Sequence, residues 1–160
     1  VFLIAQGYTI QSSKSRLYWR AREIPSLLVL AGLAEGVGLI SVLAAIAPPI
    51  FRALPLVPIA GIVLAMMAAL RWQDYAYAVS AKDTDADGNS EIKRLAPMIH
   101  VSAHGLPVAL YLSALAPWPQ AEWRMAAGGI VAIVGSAFWK NILVTRLGRS
   151  REFVPSGFGL

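Results

Sequence analysis

Charge is what this chain has least of. Only 14% of its 160 residues are Asp, Glu, Lys or Arg, where a soluble domain carries about 25%. Cysteine is absent, which excludes a disulfide and a Cys-ligated iron–sulfur cluster within the chain. If the protein handles electrons, the redox centres belong to a partner or to a bound small molecule. Histidine occurs twice, as His100 and His104. No nucleophile–base pair, glycine-rich phosphate loop or metal-ligand cluster is visible. A secretory signal is also missing, because the first apolar stretch has no basic region before it. The chain opens on Val1 in place of Met, so we expect its true start to lie further upstream, in a longer subunit.

Long apolar runs stand where the charge is missing, and 57% of the residues are hydrophobic. The fold class this implies is an all-α integral membrane bundle. Runs of 18 or more apolar residues read as transmembrane helices, and four are found, at about 24–46, 54–72, 95–116 and 123–145. The apolar stretch Val1 to Ile10 is too short to span and reads as the end of a preceding helix. Pro48 and Pro49 close the first span, since proline cannot continue a helix. Pro97 suits the first turn of the third span, and Pro107 should kink its middle. Residues 73–94 read as a polar loop. No internal repeat is apparent.

With four spans, Lys14, Arg16, Arg20, Arg22, Arg71, Lys82, Lys93, Arg94, Lys140, Arg146, Arg149 and Arg151 fall on one side, and only Arg52 and Arg124 on the other. The positive-inside rule puts the first side, with the C-terminus, in the cytoplasm. The net charge of +5 is thereby explained by topology and lipid headgroups, and nucleic acid is not expected as a partner. All five tryptophans, Trp19, Trp72, Trp118, Trp123 and Trp139, lie near span ends, the pattern of an interfacial aromatic belt.

Glu35 is the single charge within the first span. Counted from Ile24 it lies roughly 16 Å deep, near the middle of a hydrocarbon layer about 30 Å thick. Intramembrane acids are costly and face a bundle interior. Two readings stand for it: a proton-accepting or quinone-contacting carboxylate, or structural glue hydrogen-bonded to a neighbouring helix. Gly32 and Gly36 beside it form a small-xxx-small pair that invites close helix approach. His104, roughly 14 Å into the third span, sits at a similar level, and two readings stand: Glu35 and His104 approach each other, directly or through water, as part of a proton or quinone-headgroup path, or they are two separate, locally satisfied residues. His100 and His104 share one helix face. They cannot supply axial ligands on opposite sides of a haem, and neither haem nor metal is expected here. Asp83-Thr84-Asp85-Ala86-Asp87-Gly88 matches the start of a calcium loop, but Arg94 stands where the bidentate Glu belongs, so a solvated acidic turn is the reading. Lys140, in the last turns of the fourth span, is expected to snorkel to the cytoplasmic interface. Trp19 and Arg20, in the first basic connector, are candidates for contact with anionic lipid or a partner.

Three segments resemble the membrane-anchor subunits of molybdopterin oxidoreductases, the dimethyl-sulfoxide-reductase anchor and polysulfide-reductase NrfD-like group. The first is Trp19-Arg20 followed by Pro25 and the run AGLAEGVGL, Ala31 to Leu39. The second is HGLPVAL, His104 to Leu110. The third is FWKNILVTR, Phe138 to Arg146, which is similar to the end of the family's last helix. The three lie in order over most of the chain. The acidic stretch Asp83 to Glu91 and the pair Arg22-Glu23 depart from the family pattern and leave the subfamily open, whether phenylacetyl-CoA:acceptor oxidoreductase or sulfite dehydrogenase anchor-like. Members have eight spans in two bundles, so the resemblance implies that this chain is the C-terminal half, and that the main quinol site lies in the first bundle. It further implies a molybdopterin catalytic subunit and an iron–sulfur subunit as partners, with quinone or quinol as the bound cofactor. In that setting Lys140 and Arg146 join Trp19 and Arg20 as partner or lipid contacts. A transporter or channel using Glu35 as its ion-coupling group, and a purely structural anchor, are the rival readings.

Overall fold

The computed structural model describes residues 2–12, 21–47, 49, 56–80, 86–117 and 119–145. Among them every regular element is helical. They are α1 (Phe2–Gln11), α2 (Ile24–Ile46), α3 (Val57–Ser80), α4 (Ala86–Ile99), a π-helical turn (His100–Gly105), α5 (Leu106–Leu115) and α6 (Ala121–Thr145). The segment from Ile92 to Leu115 runs through α4, the π turn and α5 as one rod. With α2, α3 and α6 it makes four helices long and apolar enough to cross a membrane. A multi-pass membrane protein is the architecture.

The spans begin and end differently from the hydropathy reading, for local reasons. The second continues past Trp72 to Ser80, so residues 73–80 are helix and not loop. No glycine or proline interrupts them, and Tyr75, one turn after Trp72, is fully buried with its ring 5.4 Å from the indole. At 24 residues, α3 is roughly 36 Å long, long enough for its polar end to project beyond the hydrocarbon. There Arg71 and Asp74 form an exposed pair at 3.2 Å. The third span likewise begins earlier, at Ala86, which leaves Pro97 inside α4 rather than in its first turn. Ala86 to Gly88, part of the calcium-loop match, are helical, while Asp83 and Asp85 lie outside the described residues.

The chain stays helical through Pro107. Proline has no N–H to give, and its ring crowds the carbonyl four residues earlier, here that of Ala103. The backbone answers by widening: His100–Gly105 is a π turn, and the Leu106 N–H bonds to Val101, five residues back. Such wide turns occur mostly as single insertions and are frequent at functional sites.

The helix pair α2 and α6 packs most extensively. Glu35 meets Lys140 and Gly38 meets Gly129, so the two run antiparallel. A Cβ on Gly38 would lie 2.7 Å from the Gly129 carbonyl oxygen. This pair is the close approach of the fold. Gly36, expected to serve that role with Gly32, has nothing within 4 Å of where its Cβ would be. α1 lies on α2 through Gly7, whose Cβ would fall 2.6 Å from Pro25 Cα.

Two cores result. Near the start of α2, Ile24, Leu27 and Leu28 pack with Trp72, Tyr75 and Trp139. Toward its end, Ala44, Val57, Ala114 and Met125 surround Tyr111. The aromatic belt is thus only partly a belt. Trp72 (1% exposed) and Trp139 (3%) are interior residues whose rings lie 5.9 Å apart, and Trp123 is exposed. Trp19 and Trp118 lie outside the described residues.

Candidate functional site

Glu35 has a partner, and it is not His104. Its Oε1 accepts a hydrogen bond from Lys140 Nζ at 2.7 Å, with the two side chains 29% and 27% exposed. Lys140 is five residues before the end of α6 and Glu35 eleven residues after the start of α2, roughly 7.5 and 16 Å along their helices. The lysine bridges that offset because helical side chains lean toward the N-terminus of their own helix, and for α6 that direction is into the membrane. Snorkelling to the interface is therefore corrected: the ammonium turns inward. The pair sits on the α2–α6 seam beside the open face at Gly36.

His104 is carried by the π turn and is only 5% exposed. Its ring centroid is 5.8 Å from that of His100. In an α-helix, residues four apart are offset by about 40° around the axis, and the wider π turn takes up part of that offset. Nδ1 of His104 has no hydrogen-bond partner. Ser136 Oγ on α6 is also buried and unpartnered. Both border a small cavity of about 10 Å³ that is also lined by Ala31, Ala34, Tyr111 and Trp139. Ala34 and Trp139 are the chain neighbours of Glu35 and Lys140. The cavity that His104 borders is thus also bordered by the chain neighbours of the ion pair, while the hydrogen bond to Glu35 comes from Lys140. A buried polar atom left without a partner costs about 1–3 kcal/mol.

A further polar contact joins α2 to α5. Ser41 donates to the Val37 carbonyl at 2.8 Å, and its Oγ lies 3.2 Å from Tyr111 Oη. With its one proton committed, the serine oxygen must accept and the tyrosine donate. Glycines make the room: a Cβ on Gly61 would fall 2.5 Å from the Tyr111 ring, and one on Gly128 would come within 3.3 Å of it.

Outside the bundle, a larger groove of about 450 Å³ runs along the α4–α6 face, lined by Met98, Ser102, Leu106, Ile130, Val134 and Phe138. Its one hydroxyl, on Ser102, is already donated to the Met98 carbonyl at 2.7 Å. Trp19, Arg20 and Arg146 lie outside the described residues. No group of three or more His, Cys, Asp or Glu able to hold a metal occurs among the described residues.

Reading the sequence missed Ser136 and the Ser41–Tyr111 bond. The signal for the first was present. Gly128, Ala132, Gly135 and Ser136, with Trp139 after them, follow helical spacing and mark a face of α6 that approaches other backbones closely.

Compared with known proteins, the chain matches no family model, no curated protein and no solved structure.

Proposed function

We propose that this chain is a membrane-anchor subunit of a bacterial inner-membrane oxidoreductase of the molybdopterin type, exchanging electrons with the quinone pool and catalysing nothing alone. The reading rests on the three-segment resemblance. The observation that carries it is the partly exposed ion pair of Glu35 and Lys140, set within two helices long and apolar enough to span a membrane. A charged pair there is costly and is a functional-site hypothesis by default.

The residues can be tested for fit to a quinone headgroup. The His104 cavity, at about 10 Å³, is too small for a ring. Glu35 and Lys140 are partly exposed and offer an ammonium donor beside a carboxylate acceptor. A quinol, when bound, supplies two electrons and two protons. Lys140 would hold a headgroup oxygen by hydrogen bond, Glu35 would receive one proton and water the other, while both electrons leave to an iron–sulfur subunit. The basic connectors place the C-terminus in the cytoplasm in this account, with the molybdopterin and iron–sulfur subunits docked on that side around Trp19, Arg20 and Arg146. Soluble subunits digested by protease in inside-out vesicles but not in right-side-out ones are the expected result; the reverse pattern overturns the orientation.

A purely structural anchor is the second reading, favoured by the fact that the Glu35 carboxylate already has an intramolecular partner. Quinol-dependent turnover of the purified complex separates the two. With Glu35→Gln, the electron-transfer reading expects turnover to fall at least tenfold while the subunits still copurify. Unchanged turnover assigns the pair to structure alone.

A further inference from the structure

Helical hydroxyls in this bundle ordinarily bond to their own backbone. Thr9, Ser41, Ser102 and Thr145 each donate to the carbonyl four residues back, at 2.7–2.9 Å. Ser136 departs from that habit. Its Oγ has no partner although the residue is only 5% exposed. Across the cavity, His104 is equally buried and its Nδ1 is equally unpartnered. Two such atoms on one cavity, contributed by different helices, are not explained by packing.

The cavity is of the right size and kind for one guest. Empty cavities in proteins are apolar, whereas a polar one of about 10–15 Å³ holds a water if two or more polar groups converge on it. This one measures about 10 Å³ and has His104 and Ser136 on its wall. Neighbouring residues fix their separation. A Cβ on Gly135 would lie 2.6 Å from Ala103 Cα, so the backbones touch one residue from Ser136 on one side and one residue from His104 on the other. The π turn and the absent side chain at Gly135 thereby hold the two polar atoms facing a common space.

We propose that a single internal water occupies this cavity, hydrogen-bonded by His104 Nδ1 and Ser136 Oγ, and joins the π turn to α6. Water both donates and accepts, so it serves His104 in either neutral tautomer. The serine hydroxyl rotates to complement it. The water is a structural ligand of the bundle, and this inference stands apart from the electron-transfer reading.

The two histidines make the test clean. Protein carrying 15N-histidine in nanodiscs gives ring signals from His100 and His104 only, and His100→Gln assigns them. The wild type is expected to show a hydrogen-bonded Nδ1 at His104 with a cross-peak to bound water. In Ser136→Ala that cross-peak disappears while the His100 signals stay in place. A free Nδ1 with no water cross-peak in the wild type overturns the proposal, and so does a cross-peak that persists unchanged in Ser136→Ala. The wild-type measurement decides the occupancy without any variant, should Ser136→Ala fail to fold.

Discussion

The two ends of the bundle solve the same packing problem in opposite ways. Near the start of α2, space is filled by large rings: Trp72, Tyr75 and Trp139 lock together with Ile24, Leu27 and Leu143. Toward its end, space is removed. Gly38 and Gly129 bring two backbones into contact, and Gly61 and Gly128 leave a slot for one ring, Tyr111. Both work in lipid, where helices gain nothing from hiding apolar surface from water and must rely on contact and hydrogen bonds. The glycine end also holds the Ser41–Tyr111 bond, whereas the cavity of His104 and Ser136 is bordered by residues of both ends, Trp139 and Tyr111.

That contrast can be broken from either side. Trp72→Ala should do the most damage, since large aromatic-to-alanine changes in a core cost about 3–5 kcal/mol; reversible unfolding in mixed micelles measures it. A loss under 1 kcal/mol would mean the aromatic end is not a core. Gly129→Ala comes next. The added methyl meets the Gly38 backbone, which cannot rotate away, and overpacking of this kind costs about 1–3 kcal/mol. Gly36→Ala, on the facing helix α2, is its control: its Cβ meets open space, and a change within about 0.5 kcal/mol is expected. Tyr111→Phe keeps the ring in its slot and removes only the bond to Ser41, for an expected loss of about 0.5–1.5 kcal/mol. Equal effects of Gly129→Ala and Gly36→Ala would erase the distinction between the ends.

How much of this was legible from residues alone follows from the range of each signal. The four spans were, because hydropathy is a property of contiguous sequence. Their ends were not: α3 carries on through Gln73 and Asp74 because Tyr75 still has a place in the core, and only the fold shows that place. Glu35 stood out at once as a charge in an apolar run. Its partner did not, because Lys140 is 105 residues away and near a helix end, where an inward-turned and an outward-turned lysine read alike. Gly32 and Gly36 advertised a close approach that Gly38 and Gly129 make, since the spacing of small residues marks a candidate face without saying which neighbour covers it. Pro107 was visible as a disturbance, but whether the backbone answers by bending or by widening into a π turn is not written in the residue itself.

The account stands most heavily on Glu35 and Lys140 acting as one unit across the α2–α6 seam. A double-mutant cycle in unfolding free energy, with Glu35→Gln, Lys140→Met and both together, measures that directly. A charge-assisted hydrogen bond in this setting predicts a coupling of about 1–3 kcal/mol, with the double variant less damaged than the sum of the singles. Additivity within about 0.5 kcal/mol would show two independent residues, and the paired intramembrane site would not exist.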